Sequence, residues 1–319
     1  MGPLPAVVPV EGLPSRVTIY EVGPRDGLQN EKTAIPTATK AELIARLLDA
    51  GLSPVEATSF VHPRWVPQLA DAADLETLLA ERLGDVARDL PVLVPNERGL
   101  DRALDLGLAH VAVFGSATET FAQRNLNRSY DEQFAMFEPV VTRAKDAGAT
   151  VRAYVSMCFG DPWEGRVPIE QVVTAGRRLL DLGADQLSLG DTIGVGTAGH
   201  VTALVAAFVE AGVDVDRLAL HFHDTYGQAL ANTLAGLHAG VTTYDASAGG
   251  LGGCPYAQSA TGNLATEDLL WMLDGLGIEH GVDLAKVVAT SVWLSGEIGK
   301  ESPSAVVRAL GAGTAAAGA

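Results

Sequence analysis

Cysteine is almost absent from this chain: Cys158 and Cys254 are the only two among 319 residues. That excludes both a disulfide framework and a CxxC metal site, and it suits a reducing compartment. Positive charge is scarce as well, with 22 Lys and Arg, five of them Lys, against 39 Asp and Glu, for a net charge of −17. Nucleic acid and anionic membranes both demand clustered basic residues, so neither is an expected partner. Although 47% of residues are hydrophobic and mean hydropathy is +0.18, no apolar run approaches the ~18 residues of a membrane helix. Residues 1–14 hold four prolines and no basic residue, unlike a signal or transit peptide. A soluble, cytoplasmic protein is expected. The tail 311–319 is Gly/Ala-rich and is expected to be disordered.

A repeated joint is present instead. Asp49-Ala50-Gly51, Asp105-Leu106-Gly107, Asp146-Ala147-Gly148, Asp181-Leu182-Gly183, Glu210-Ala211-Gly212 and His238-Ala239-Gly240 each precede a short apolar run. A glycine just past a helix takes the left-handed conformation that ends it, and a strand then begins. Strands are expected at 16–22, 54–58, 91–94, 110–114, 150–155, 186–189, 218–222 and 243–247. Amphipathic helices are expected at 37–50, 71–82, 97–106, 130–147, 168–182, 199–211, 228–239 and 265–276. Eight such units predict an α/β fold, a TIM (β/α)8 barrel with one or two additional C-terminal helices. The expected organisation is an N-terminal extension 1–15, one catalytic domain 16–310 and the tail 311–319.

Barrel enzymes keep their chemistry on the loops that follow the strands. Arg25 and Asp26 follow the first strand, while His221 and His223 stand one residue apart on the seventh. Side chains alternate faces with period two, so these histidines point the same way and can share one ion. Two packed histidines would give the same pattern. Asp26, His221, His223 and Asn263 together offer two imidazoles and two oxygens. Mixed N/O ligation admits Mg²⁺, Mn²⁺ or Zn²⁺, and an oxygen-rich octahedron favours the first two. Zinc amidohydrolases use an HxH too, but on their first strand. Residues 248–263 read AGGLGGCPYAQSATGN, a loop able to close over a site or to serve as a plain connection. Asp191 reads either as an active-site acid or as a cap on the turn after strand six, and Glu56 as a direct participant or a support for a neighbour. Cys158 reads as packing.

Five motifs carry a resemblance: RDGLQNE (25–31), EATSFV (56–61), SLGDTIGVG (188–196), HFHDTYGQALANT (221–233) and GGLGGCPYA (249–257). As a set they resemble the 3-hydroxy-3-methylglutaryl-coenzyme A lyase family, over about residues 17–287. The resemblance implies a metal-dependent retro-Claisen cleavage of a CoA thioester to acetyl-CoA and acetoacetate on a TIM barrel, with Mg²⁺ or Mn²⁺ as cofactor. Asp26, His221, His223 and Asn263 match the metal positions. Arg25 matches the arginine that stabilises the enolate, and Cys254 the cysteine of the mobile loop. Glu56, Asp191 and Glu267 match further acidic positions, and His221 or Asp26 is the expected proton relay. Leucine breakdown is the usual setting, and a homodimer is expected. Residues 156–163 depart from the family pattern, so acyl-tail preference is expected to vary there. The alternatives are a lyase for a longer 3-hydroxy-3-alkylglutaryl-CoA and a condensing synthase of the isopropylmalate or homocitrate type, which normally carries more chain beyond its barrel.

Overall fold

The computed structural model describes residues 4–253 and 262–314. Its strands are β1 (Thr18–Glu21), β2 (Thr58–Ser59), β3 (Val92–Leu93), β4 (His110–Ser116), β5 (Thr150–Ser156), β6 (Gln186–Asp191), β7 (Leu218–Phe222) and β8 (Thr243–Ala246). All are parallel, in the spatial order β1-β8-β7-β6-β5-β4-β3-β2. The circle closes where Glu21 bridges Val55: Glu21 N donates to Pro54 O at 3.0 Å and Glu56 N to Glu21 O at 2.8 Å. The result is the (β/α)8 barrel that the eight repeated units foretell.

The helices are α1 (Thr37–Asp49), α2 (Ala72–Leu83), α3 (Glu97–Asp105), α4 (Glu119–Leu126), α5 (Tyr130–Asp146), α6 (Ile169–Asp181), α7 (Ala198–Glu210), α8 (Ala229–His238), α9 (Thr266–Leu276), α10 (Leu284–Ile298) and α11 (Ala305–Thr314). The six glycines of the repeated joint all have positive φ, from +73° at Gly107 to +114° at Gly183, so each stops a helix and releases the chain into the next strand. At the other end of α5, Ser129 and Glu132 form a reciprocal capping box, which satisfies two otherwise orphaned N–H groups. Between strands and helices lies one continuous apolar layer, in which Val140, Val141 and Phe137 of α5 are fully buried. Truncating any one such side chain to Ala costs ~2–5 kcal/mol.

Three features depart from the sequence reading. No element was expected between residues 114 and 130, where α4 forms a short helix closed by Asn127 in the left-handed conformation. The second strand is split, with Val55 paired to β1 and Thr58–Ser59 paired to β3. Helix α11 runs to Thr314, past residue 311 where the disordered tail was expected to begin, and it does so through Gly311 and Gly313. The N-terminal segment lies along the barrel, Val8 N donating to Gly275 O at 2.8 Å and Glu279 N to Ser15 O at 2.9 Å. Among the described residues, no helix is long and apolar enough to cross a membrane.

Candidate active site

The site begins where β1 ends. Gly23–Gly27 form a single turn of π-helix, with Asp26 N and Gly27 N both donating to Val22 O at 2.7 and 3.1 Å. Such turns place an extra residue into a regular path and recur at functional sites. The turn is held from beneath by Glu21, whose buried carboxylate accepts from Gly23 N (2.8 Å), Ala248 N (2.9 Å) and the Thr266 hydroxyl (2.6 Å). One carboxylate thus ties the turn after β1 to the turn after β8 and to the start of α9. Burial pushes its pKa up to about 7, against the pull of those three donors.

Arg25 is buried, a costly position for a cation unless it is paired. Its Nε donates to Glu56 Oε2 at 2.8 Å and its Nη1 to Asp26 Oδ1 at 2.7 Å. The same Glu56 oxygen accepts from the Tyr154 hydroxyl at 2.9 Å, and the guanidinium lies 5.1 Å from the centre of the Tyr154 ring. Period-two alternation along β5 turns Tyr154 into the barrel, and its ring clamps the ion pair. The guanidinium therefore sits at the barrel mouth in one fixed orientation.

Beside it, Asp26, His221 and His223 bring one candidate ligand atom each within 4.8 Å of one another. Asn263 joins them from the far side of the glycine-rich loop: its backbone bridges His223, and its Nδ2 donates to Asp26 Oδ2 at 2.8 Å and to Leu251 O at 3.0 Å. Its Oδ1 is buried with no hydrogen-bond donor among the described residues. A buried, unsatisfied carbonyl oxygen beside an aspartate and two imidazoles is what an oxygen-preferring divalent cation would satisfy, so the donor set fits the expected metal. Burial alone would raise the pKa of Asp26, but Arg25, His221 and His223 outweigh it and hold the carboxylate below its ordinary value. It stays ionised, as a ligand must be.

The remaining expected residues scatter in role. Asp191 accepts from Val195 N and Gly196 N, both at 2.9 Å, so it shapes the turn after β6; burial pushes its pKa up to about 6. Glu267 contacts no member of the Asp26, His221 and His223 group; it accepts from Gly249 N at 3.0 Å and from the Ser291 hydroxyl. Burial pushes its pKa up to about 8. Cys158 is fully buried, donates to Val155 O at 3.0 Å, and has its thiol pKa raised by burial. Cys254 lies outside the described residues. Just before it, Gly253 O accepts from Asn30 Nδ2 at 2.6 Å. Gly252 has φ +121°, and a Cβ there would stand 2.5 Å from Asn263 Nδ2. The sequence reading missed Glu21, Tyr154, Arg152 and Asp245. Its available signal was a polar residue inside a strand of otherwise apolar neighbours. Surface cavities of about 590 Å³, lined by Asn96, Arg98 and Arg128 among others, and about 420 Å³, lined by His62, Arg64 and Trp65 among others, include none of these site residues.

Residues 16–293 match the HMGL-like family model. The chain is 50% identical over 300 residues, 94% of its length, to the mitochondrial hydroxymethylglutaryl-CoA lyase of Arabidopsis thaliana, and it spans 63% of that protein. A crystal structure of hydroxymethylglutaryl-CoA lyase from Pseudomonas aeruginosa superposes with a TM-score of 0.90 at 46% identity, covering 94% of this chain and 99% of that one. An HMG-CoA lyase from Acinetobacter baumannii, solved with coenzyme A and 3-methylmalate, gives a TM-score of 0.87 at 33% identity, covering 95% of this chain and 97% of that one. The chain belongs to the HMGL-like family, among relatives that bear the name hydroxymethylglutaryl-CoA lyase.

Proposed function

We propose that this protein cleaves (S)-3-hydroxy-3-methylglutaryl-CoA to acetyl-CoA and acetoacetate. The observation that carries the proposal is the meeting of a fixed, buried Arg25 with the Asp26, His221 and His223 group at the mouth of a barrel of this family. Cleavage requires the tertiary hydroxyl to lose a proton while the breaking C–C bond sends its electrons into the thioester carbonyl. Asp26, His221, His223 and Asn263 would hold Mg²⁺ or Mn²⁺, whose chemistry is to lower the pKa of a substrate hydroxyl bound to it. Arg25 supplies positive charge to the enolate oxygen as it develops. Because Glu56 and Tyr154 have already oriented the guanidinium, little reorganisation is needed at that moment. Glu56 and Asp191 act by holding Arg25 and the turn after β6. Glu267 sets the turn at Gly249. Asp26 relays the hydroxyl proton, since the His221 ring faces Asp245 through Nδ1 and would hold the metal through its other nitrogen, and Cys254 donates a proton to the acetyl-CoA carbanion.

The proposal extends to residues 16–310 acting as one catalytic domain, a CoA thioester as substrate, a homodimer and a cytoplasmic setting. The last is supported by the acidic, cysteine-poor composition. Purified protein incubated with the thioester, Mg²⁺ and a thiol reductant should release acetoacetate, and EDTA should abolish the release. No acetoacetate from folded, metal-loaded protein would overturn the assignment.

A further inference from the structure

Four neighbouring strands each contribute one inward side chain to a connected polar cluster: Arg152 from β5, Ser188 from β6, His221 from β7 and Asp245 from β8. Asp245 is its hub. One carboxylate oxygen accepts from Arg152 Nη2; the other accepts from the Ser188 hydroxyl at 2.7 Å and lies 3.2 Å from His221 Nδ1. His221 and Asp245 are direct partners in the β7–β8 register, so their side chains leave the sheet on the same face. Arg152 is itself fixed, donating to Gln186 Oε1 at 2.5 Å and lying 3.9 Å from the centre of the Tyr20 ring. Arg152, Ser188 and Asp245 are all buried.

Asp245 is ion-paired to Arg152 through one oxygen and accepts from the Ser188 hydroxyl through the other, so both oxygens act as acceptors. An ionised carboxylate can only accept hydrogen bonds. The proton between it and the ring therefore belongs to His221 Nδ1, and Nε2 keeps its lone pair. We propose that Asp245, clamped by Arg152 and Ser188, is a positioning residue that fixes His221 in the one tautomer and ring orientation able to present Nε2 to a divalent cation. Stability alone does not account for the arrangement, since a buried ion pair contributes little over a well-packed apolar pair. Orientation of a ligand histidine by an acidic partner is a distinct and measurable effect, on the order of 10–100-fold in metal affinity.

This inference rests on the metal reading of the site, and the experiment separates the two. Mn²⁺ binding to the whole protein, without substrate, is followed by the electron paramagnetic resonance of free Mn²⁺. The proteins compared are wild type, Asp245→Asn and the double variant Arg152→Met with Asp245→Leu, which leaves no unpaired charge in the barrel. Wild type should bind, and the folded variants should bind roughly 10–100-fold more weakly, with the melting temperature of the metal-free double variant close to that of wild type. Affinity within twofold of wild type would overturn the inference while leaving the metal reading intact. No Mn²⁺ bound by wild type would overturn both. A second measurement needs no variant: ¹⁵N resonances of His221 in metal-free wild type, at a pH where the ring is neutral, should report a proton on Nδ1. A proton on Nε2 overturns the inference whatever the variants do.

Discussion

Arg25→Met separates charge from shape at the centre of the site, because methionine fills much of the volume of the arginine stem. The lost guanidinium has three roles. Toward the enolate it is a preoriented cation, and removal of such a donor costs ~10³ in turnover, equivalent to about 4 kcal/mol of barrier. Toward Glu56 it is the main counter-charge, at 2.8 Å. A buried carboxylate stripped of its partner costs ~3–5 kcal/mol if it stays ionised, but burial already raises Glu56 above the usual carboxylate range, so in the variant it takes a proton instead. Its folded pKa then exceeds its unfolded pKa. The variant should be nearest to wild-type stability in mild acid and should lose stability as pH rises toward that elevated value. Toward Asp26 the guanidinium is a rival cation, 2.7 Å from a ligand oxygen, and its loss should leave Mn²⁺ affinity unchanged or tighter. Steady-state turnover, Mn²⁺ titration and thermal melts at two pH values read all three. Turnover within tenfold of wild type, or metal binding weakened in step with turnover, would refute the argument.

Three further tests are independent of Arg25. Cys254→Ser should slow product formation more than it weakens substrate binding, read as a fall in kcat with little change in KM; unchanged kcat would make the thiol a spectator. Gly252→Ala forces a Cβ against Asn263 Nδ2 in a backbone conformation with φ +121°, so both Mn²⁺ affinity and activity should fall about tenfold or more, by ~1–3 kcal/mol of strain; wild-type affinity would show that Asn263 can move freely. Glu76 of α2 lies outside the site, 3% exposed, with no hydrogen bond to either oxygen among the described residues and a pKa pushed up to about 8 by burial. A carboxylate raised in this way contributes its stability below its unfolded pKa and loses it as pH climbs to 8. Glu76→Gln should therefore raise the melting temperature at pH 9 and have little effect at pH 5. An equal shift at both pH values would sink that reasoning.

The barrel was legible because its joints are chemical. Each Gly after Asp-Ala, Asp-Leu, Glu-Ala or His-Ala marks a backbone state that few other residues adopt, and six of them set the period of the fold. Helix α4 was not legible, because in eight residues its buried face amounts to Phe121, Ala122 and Leu126, too short a stripe to set a period. In the site, Asp26, His221 and His223 were visible as ligand types at the ends of strands. Asp245 and Arg152 were not, because a lone charge inside a strand acquires meaning only once its counter-charge 93 positions away is brought across the barrel. Glu267 shows the converse: its residue type and position suggest acid chemistry, while its contacts are to Gly249 and Ser291.

Helices α10 and α11 bear on where the enzyme ends. Ser291 of α10 donates to Glu267, and Ser302, in the link to α11, donates to Gly249 O at 2.7 Å, so both reach the turn from which the glycine-rich loop departs. Lys300 Nζ also donates to Glu31 Oε1 at 2.7 Å, just beyond the turn that carries Arg25 and Asp26. A chain cut after its eighth strand and helix would retain every barrel strand yet lose the brace behind its own mouth. For protein engineering a truncation therefore belongs beyond α11 rather than after α9.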